Sequence, residues 1–242
     1  MCGRFTLRTD PKTVAEHFGL PELPLLEPRY NIAPGQPVDI VRAVPVAALD
    51  GVAADTAPPG GSRREWSRVQ WGLVPQWAKN PAEAGWINAR AETAAARPAF
   101  RAAFRYRRCL VPADGFYEWK RLDRRKQPYF IRFRDDRLFA FAGLWESRET
   151  EDGSALESCA ILTTGPNALM SQIHDRMPAI LPPQFYAEWL NPALQDPAAL
   201  QGLLRPYPAD EMEAFPVGDY VNAPVHEGPR CLERGEIAGS LF

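Results

Sequence analysis

The most distinctive chemistry in this chain stands at position 2. Cys2 follows the initiator Met directly. Trimming of Met1 ahead of this residue leaves a free 1,2-aminothiol. Its α-amine has an unperturbed pKa of about 7.7–8.0, against roughly 10.4 for lysine, so much of it is neutral near pH 7. A neutral amine attacks a carbonyl to give a Schiff base. The thiol can then close on the imine carbon, giving a five-membered thiazolidine. No internal Cys or Lys offers that pair of groups. The other cysteines, Cys109, Cys159 and Cys231, form no CxxC pair, and there are only three histidines, so neither a zinc site nor a disulfide framework is expected. Cys109 and Cys159 lie in apolar stretches and read as buried thiols.

A second feature is a stripe of arginines. Arg97, Arg101, Arg105 and Arg108 are spaced 4, 4 and 3 in RPAFRAAFRYRR, with no acidic residue between Glu92 and Asp114. Phosphate is one partner for such a stripe; carboxylates from elsewhere in the fold are the other. The whole chain has a net charge of −2, which argues weakly against nucleic acid. That sum hides a split. Residues 62–137 hold 18 basic and 8 acidic residues, leaving 10 basic and 22 acidic for the rest. Such segregation suggests a basic surface on an acidic body, with chance clustering of solvated charges as the ordinary alternative.

These residues need a scaffold. The 242 residues are 45% hydrophobic and 11% aromatic, enough for one sizeable core. Asp10-Pro11 opens a helix that runs to Phe18 and closes at Gly19. Strands are expected over 38–46, 69–74, 109–111, 115–119, 129–133, 138–144 and 159–163. A turn at Asp135-Asp136 suggests an antiparallel meander. Helices are expected from Pro98 to Arg108, over 166–173 and over 183–190. Residues 47–62 read as a flexible loop or hairpin insertion, and residues 204–242 as an irregular C-terminal segment. Short strands without alternating long helices favour α+β: a single domain over residues 1–242, with a mostly antiparallel, curved β core flanked by short helices. No apolar run reaches the roughly 18 residues of a membrane span. The opening MCGRFTLRTD lacks a signal peptide's apolar region, so a cytoplasmic location is expected, at the nucleoid if DNA is bound.

Six motifs in order set Cys2 in context: MCGRF, RYNIAPG, WGLVPQW, INARAET, DGFYEW and IHDRMP. A looser echo follows in DYVNAPVHEGPRCLE. Together they closely resemble the SRAP (SOS response-associated peptidase) family, from Met1 to about Leu190. The resemblance implies a protein that binds abasic sites in single-stranded DNA and at single-strand/duplex junctions. It implies a crosslink to the open-chain aldehyde through Cys2, slow reversal, and excision of the leading residue. No cofactor or metal is implied, and a monomer is expected.

By the same resemblance Glu118 is the acid/base for the amine proton, a role that a raised pKa would suit. His174 assists ring opening and proton transfer. Asn88 orients the substrate and the N-terminus, and Thr163 lies near the pocket. Arg4, Arg90 and Arg176 are phosphate forks. Pro34, Trp77 and Trp119 supply flat faces for bases. Each has an ordinary structural alternative: an exposed edge carboxylate, a helix-end histidine, a turn asparagine, arginine–carboxylate pairs such as Arg90 with Glu92 or Arg176 with Asp175, and core aromatics. Some family members carry two adjacent aromatics where this chain has Trp77-Ala78. Two other functions stand beside this one: an N-terminal cysteine peptidase, which uses the same residues, and a non-catalytic nucleic-acid module indifferent to Cys2. The basic segment favours DNA over a peptide.

Overall fold

The computed structural model describes residues 2–45, 62–78, 85–123, 125–150 and 152–235. The insertion expected at 47–62 therefore lies outside the described residues, except for Ser62, which begins a strand.

The chain opens with β1 (Phe5–Leu7) and α1 (Pro11–Phe18). The Asp10 side chain accepts from the Thr13 N–H, and Gly19 closes the helix at φ 60°, a left-handed cap that glycine adopts without strain. Then come β2 (Arg29–Ile32), β3 (Pro37–Pro45), β4 (Ser62–Trp71) and β5 (Asn88–Arg90). Two short helices follow, α2 (Ala91–Ala94) and α3 (Arg101–Tyr106). The central strands are β6 (Arg108–Ala113), β7 (Gly115–Leu122), β8 (Arg125–Phe133), β9 (Phe139–Glu149) and β10 (Ala155–Thr164). The rest holds β11 (Met177–Pro178), β12 (Ile180–Leu181), α4 (Tyr186–Leu190), α5 (Pro197–Gly202) and β13 (Met212–Pro216).

Two sheets result. One has the order β13-β8-β7-β1-β2, and all its pairings are antiparallel. The other runs β10-β4-β3-β6-β9, and β9 pairs with β10 again, closing a small barrel. The α+β expectation holds, and among the described residues parallel pairing occurs only where β10 meets β4 and β5. Phe5 and Phe116, opposite each other on β1 and β7, both meet Phe141 of β9 edge-on, at 5.8 and 6.0 Å. That aromatic contact seats the five-stranded sheet on the barrel. Gly115 has no room for a side chain, because an added Cβ would lie 2.1 Å from the Phe130 ring.

Several expectations need correction. The strand expected at 69–74 starts seven residues earlier, because SRREWSR pairs with β3 along its full length and Glu65 meets Arg42 across the ladder. It stops at Trp71, where Gly72 turns at φ 141°. The Asp135-Asp136 turn does not join a hairpin. β8 pairs with β7 and β13 while β9 pairs with β6, β10 and β12, so the turn carries the chain from one sheet to the other. Within 166–173 only Met170–Gln172 is helical, as a single 3-10 turn. The tail after Leu203 is not all irregular, since β13 adds an edge to the first sheet. The arginine helix ends at Tyr106, and Arg108 belongs to β6.

Candidate active site at the N-terminal strand

The arm bearing Cys2 is held at both ends. Beyond β1, the buried Asp114 carboxylate accepts from Thr6 Oγ1 at 2.6 Å, from the Thr9 N–H at 2.9 Å and from the Arg8 side chain at 3.0 Å. At the near end the Tyr117 N–H donates to the Arg4 carbonyl at 2.9 Å, continuing the β1–β7 ladder toward the terminus. Counting on from Phe5 opposite Phe116 puts Glu118 beside Gly3. Both Cys2 and Glu118 are buried.

Three of the four expected catalytic residues meet there. Asn88 Nδ2 donates to the Cys2 carbonyl at 2.8 Å. β5 presents Asn88 from the barrel side, paired with Ile161 of β10. Burial, and next the Glu118 carboxylate, push the Cys2 thiol well above its ordinary range. Burial also raises the Glu118 carboxyl, and the charge of His174 opposes that shift, which places the ring within electrostatic reach. His174 itself lies half-buried after the 3-10 turn. Its Nδ1 is 3.0 Å from the Arg176 N–H and 3.0 Å from a carboxylate oxygen of the exposed Asp175. The backbone N–H is a fixed donor, so Nδ1 accepts and the neutral ring carries its proton on Nε2.

The three arginines divide. Arg4 is 8% exposed, and its guanidinium donates to Asn31 Oδ1 at 2.7 Å and to the Val221 carbonyl at 2.8 Å. Arg176 grips both oxygens of Glu92, at 2.7 and 2.9 Å, and donates to the Thr163 carbonyl at 2.5 Å. Glu92 therefore pairs with Arg176 and not with its neighbour Arg90. Arg90 is exposed and in no ion pair among the described residues. Thr163 is buried opposite Arg90 in the β5–β10 ladder.

Of the flat faces, Pro34 and Trp77 are exposed, Trp77 by 61%. Trp119 is half-buried. Its Nε1–H donates to Asn222 Oδ1 at 2.8 Å, and the Arg4 guanidinium lies 5.5 Å from its ring. Asn31 and Asn222 thus join the site's supports, which the sequence reasoning passed over. Both sit in motifs already picked out, RYNIAPG and DYVNAP, and that was their only signal. Among the described residues no cluster of His, Cys, Asp or Glu could hold a metal ion, and no helix is long and apolar enough to cross a membrane.

The family model "SOS response associated peptidase (SRAP)" matches residues 1–224. The abasic site processing protein YoqW of Bacillus subtilis is 44% identical over 96% of this chain and 99% of its own length. The abasic site processing protein HMCES of Xenopus tropicalis is 31% identical over 71% of this chain and 58% of its own length. A crystal structure of a Bacteroides thetaiotaomicron protein superposes with a TM-score of 0.81 at 26% identity, covering 97% of this chain and all of that one. The chain belongs to the SRAP family.

Proposed function

We propose that this chain processes abasic sites in single-stranded DNA, and that Cys2, freed by removal of Met1, forms a thiazolidine crosslink with the lesion. The observation that carries this reading is the meeting of Asn88, Glu118 and the Cys2 backbone at the end of β1. The substrate class comes from relatives that are named abasic site processing proteins.

The α-amine adds to the aldehyde carbon of the opened deoxyribose. The resulting carbinolamine loses its hydroxyl as water, taking a proton from Glu118, whose raised carboxyl suits it to donate. The iminium carbon then accepts the Cys2 sulfur, the C=N electron pair settles on nitrogen, and the thiol proton returns to the Glu118 carboxylate. One water leaves overall. His174 is the group for ring opening. Asn88 fixes the Cys2 carbonyl, so the amine and thiol approach in one geometry. Arg90, Pro34 and Trp77 are the exposed groups for the flanking strand, with or without a duplex junction nearby. Arg4, Arg176 and Thr163 serve by positioning: Arg4 braces Trp119 and the first strand, and Arg176 braces the turn after His174.

The peptidase alternative uses the same Cys2, Glu118 and His174. A resting thiolate nucleophile is disfavoured for it, because burial holds the Cys2 thiol protonated. Amine attack needs no thiolate.

The test is an oligonucleotide with one abasic site, analysed on a denaturing gel without reductant. Wild type gives a stable shifted band, and Cys2→Ala gives none. Intact mass shows Met1 absent and the adduct lighter than its two parts by one water. No band from the Met-trimmed wild type overturns the reading.

A further inference from the structure

The segment entering β5 carries an aromatic group the catalytic reading does not use. Ile87 and Ala89 pack toward the core, so Trp86, Asn88 and Arg90 share the opposite face. The Ile87 carbonyl accepts from the Trp71 indole and from the Ile161 N–H, which fixes the segment from behind. Trp86 thus stands about 7 Å along the strand from Asn88. It is 37% exposed, and its ring lies 6.3 Å from that of Trp77, tilted by 55°. Ala78, beside Trp77, is buried.

Trp86 also meets Phe100 edge-on at 6.1 Å. The Phe100 and Arg101 N–H groups both donate to the Arg97 carbonyl, at 2.9 and 2.8 Å. Trp86 therefore sits against the turn that bears Arg97 and Arg101, and Arg105 follows about 6 Å further along α3. All three arginines are exposed, and none is in an ion pair among the described residues. The surface thus runs from the Cys2 site over two tryptophans to three exposed cations in no ion pair among the described residues.

We infer that Trp86 and Trp77 form a two-ring stacking platform, and that Arg97, Arg101 and Arg105 form a phosphate track, which together hold single-stranded DNA flanking the site. The inference rests on the proposed function for its substrate class. The rings choose a single strand, because paired bases keep their faces within the duplex stack. The arginines add affinity without reading sequence.

A lesion-free fluorescent single strand, titrated by anisotropy over a range of salt, tests this apart from the covalent step. Trp86→Leu keeps an apolar contact with Phe100 and removes the ring face. It is expected to weaken single-strand binding about tenfold, within the range for one lost stack, and to leave duplex binding alone. Arg101→Glu with Arg105→Glu, on an exposed helix face, is expected to lower the log–log salt slope by about 1.4, at about 0.7 per contact. Wild-type affinity and slope in both variants, at wild-type melting temperature, overturn the inference; equal loss on duplex overturns the platform. If Trp86→Leu fails to fold, the arginine pair decides alone. A wild type that binds this strand but crosslinks no abasic site overturns the catalytic reading instead, and leaves this one standing.

Discussion

Arg105, in the last turn of α3, and Arg108, the first residue of β6, stand three positions apart in opposite surroundings. Arg105 is exposed, as are Arg97 and Arg101. Arg108 is 4% exposed, and its guanidinium donates to the carbonyls of Trp189 at 2.6 Å, Phe104 at 3.0 Å and Leu194 at 3.0 Å, and also to those of Arg105 and Asn191. It lies 5.6 Å from the Trp189 ring. Burial alone lowers its pKa, to about 10. One cation is sealed among carbonyl dipoles as a joint between α3, β6 and α4, while its neighbour faces solvent. The 4-4-3 spacing put both on one face. Arg107 leaves helical geometry at φ −130°, ψ 68°, and that turns Arg108 inward. Periodicity assigns a face only while the helix lasts.

The strongest way to break this contrast is Arg108→Met. The stem is kept and the donors are lost, so several buried carbonyls go unpaired. The expected loss is about 3–5 kcal/mol, the scale for stripping one side of a buried polar cluster. In urea the midpoint should fall far below wild type. A variant as stable as wild type would mean that those carbonyls find water, and that the joint is a surface after all.

The two carboxylates of the site offer a contrast of opposite sign. Burial raises Glu118, so the folded state penalises its charge. That penalty is absent below the ordinary carboxylate pKa and grows as pH rises through the folded value. Glu118→Gln is therefore expected to stabilise the chain by about 1 kcal/mol at pH 8, or about 2–4 °C in Tm, and to match wild type near pH 4. It should also slow crosslinking. Glu92 is held low, first by its hydrogen bonds to Arg176. Its contribution is present above the ordinary carboxylate pKa and is lost as pH falls through the lowered folded value. Glu92→Gln should cost about 0.5 kcal/mol at pH 7, small because the carboxylate is half-exposed, and nothing in strong acid. Melting curves across pH read both; parallel profiles for the two variants would refute the contrast.

The parts of the fold legible in the sequence were those with local causes. Asp10, Pro11 and Gly19 marked α1 to the residue, because caps act through their own backbone. The centres of the strands followed from apolar runs. Pairing partners did not, since nothing local says that the Asp135-Asp136 turn changes sheets or that SRREWSR lies on β3. For the site, the motifs pointed to Asn88, Glu118 and Cys2, which the fold brings together. They could not say that Glu92 would take Arg176, nor that Asn31 and Val221 would take Arg4, because those partners arrive from 84, 27 and 217 positions away. Trp86 carried no motif signal, and its ring contacts with Trp77 and Phe100 single it out.

The smallest effect on stability is expected at Arg90, and it is the sharpest test of which arginines are free. Arg90 is exposed on β5 without an ion pair among the described residues, so Arg90→Ala should change stability by less than about 0.5 kcal/mol. If it meets a phosphate, the same change should weaken single-strand binding and lower the salt slope by about 0.7. Arg176→Ala should do the reverse. Its guanidinium is already gripped by Glu92 and Thr163, so its loss should destabilise the turn after His174 and leave the slope near wild type. Titrating both variants over salt, beside their melting curves, separates the two kinds of arginine. A salt slope that falls for Arg176→Ala and holds for Arg90→Ala would invert the assignment, and would mean that DNA displaces Glu92 from its arginine.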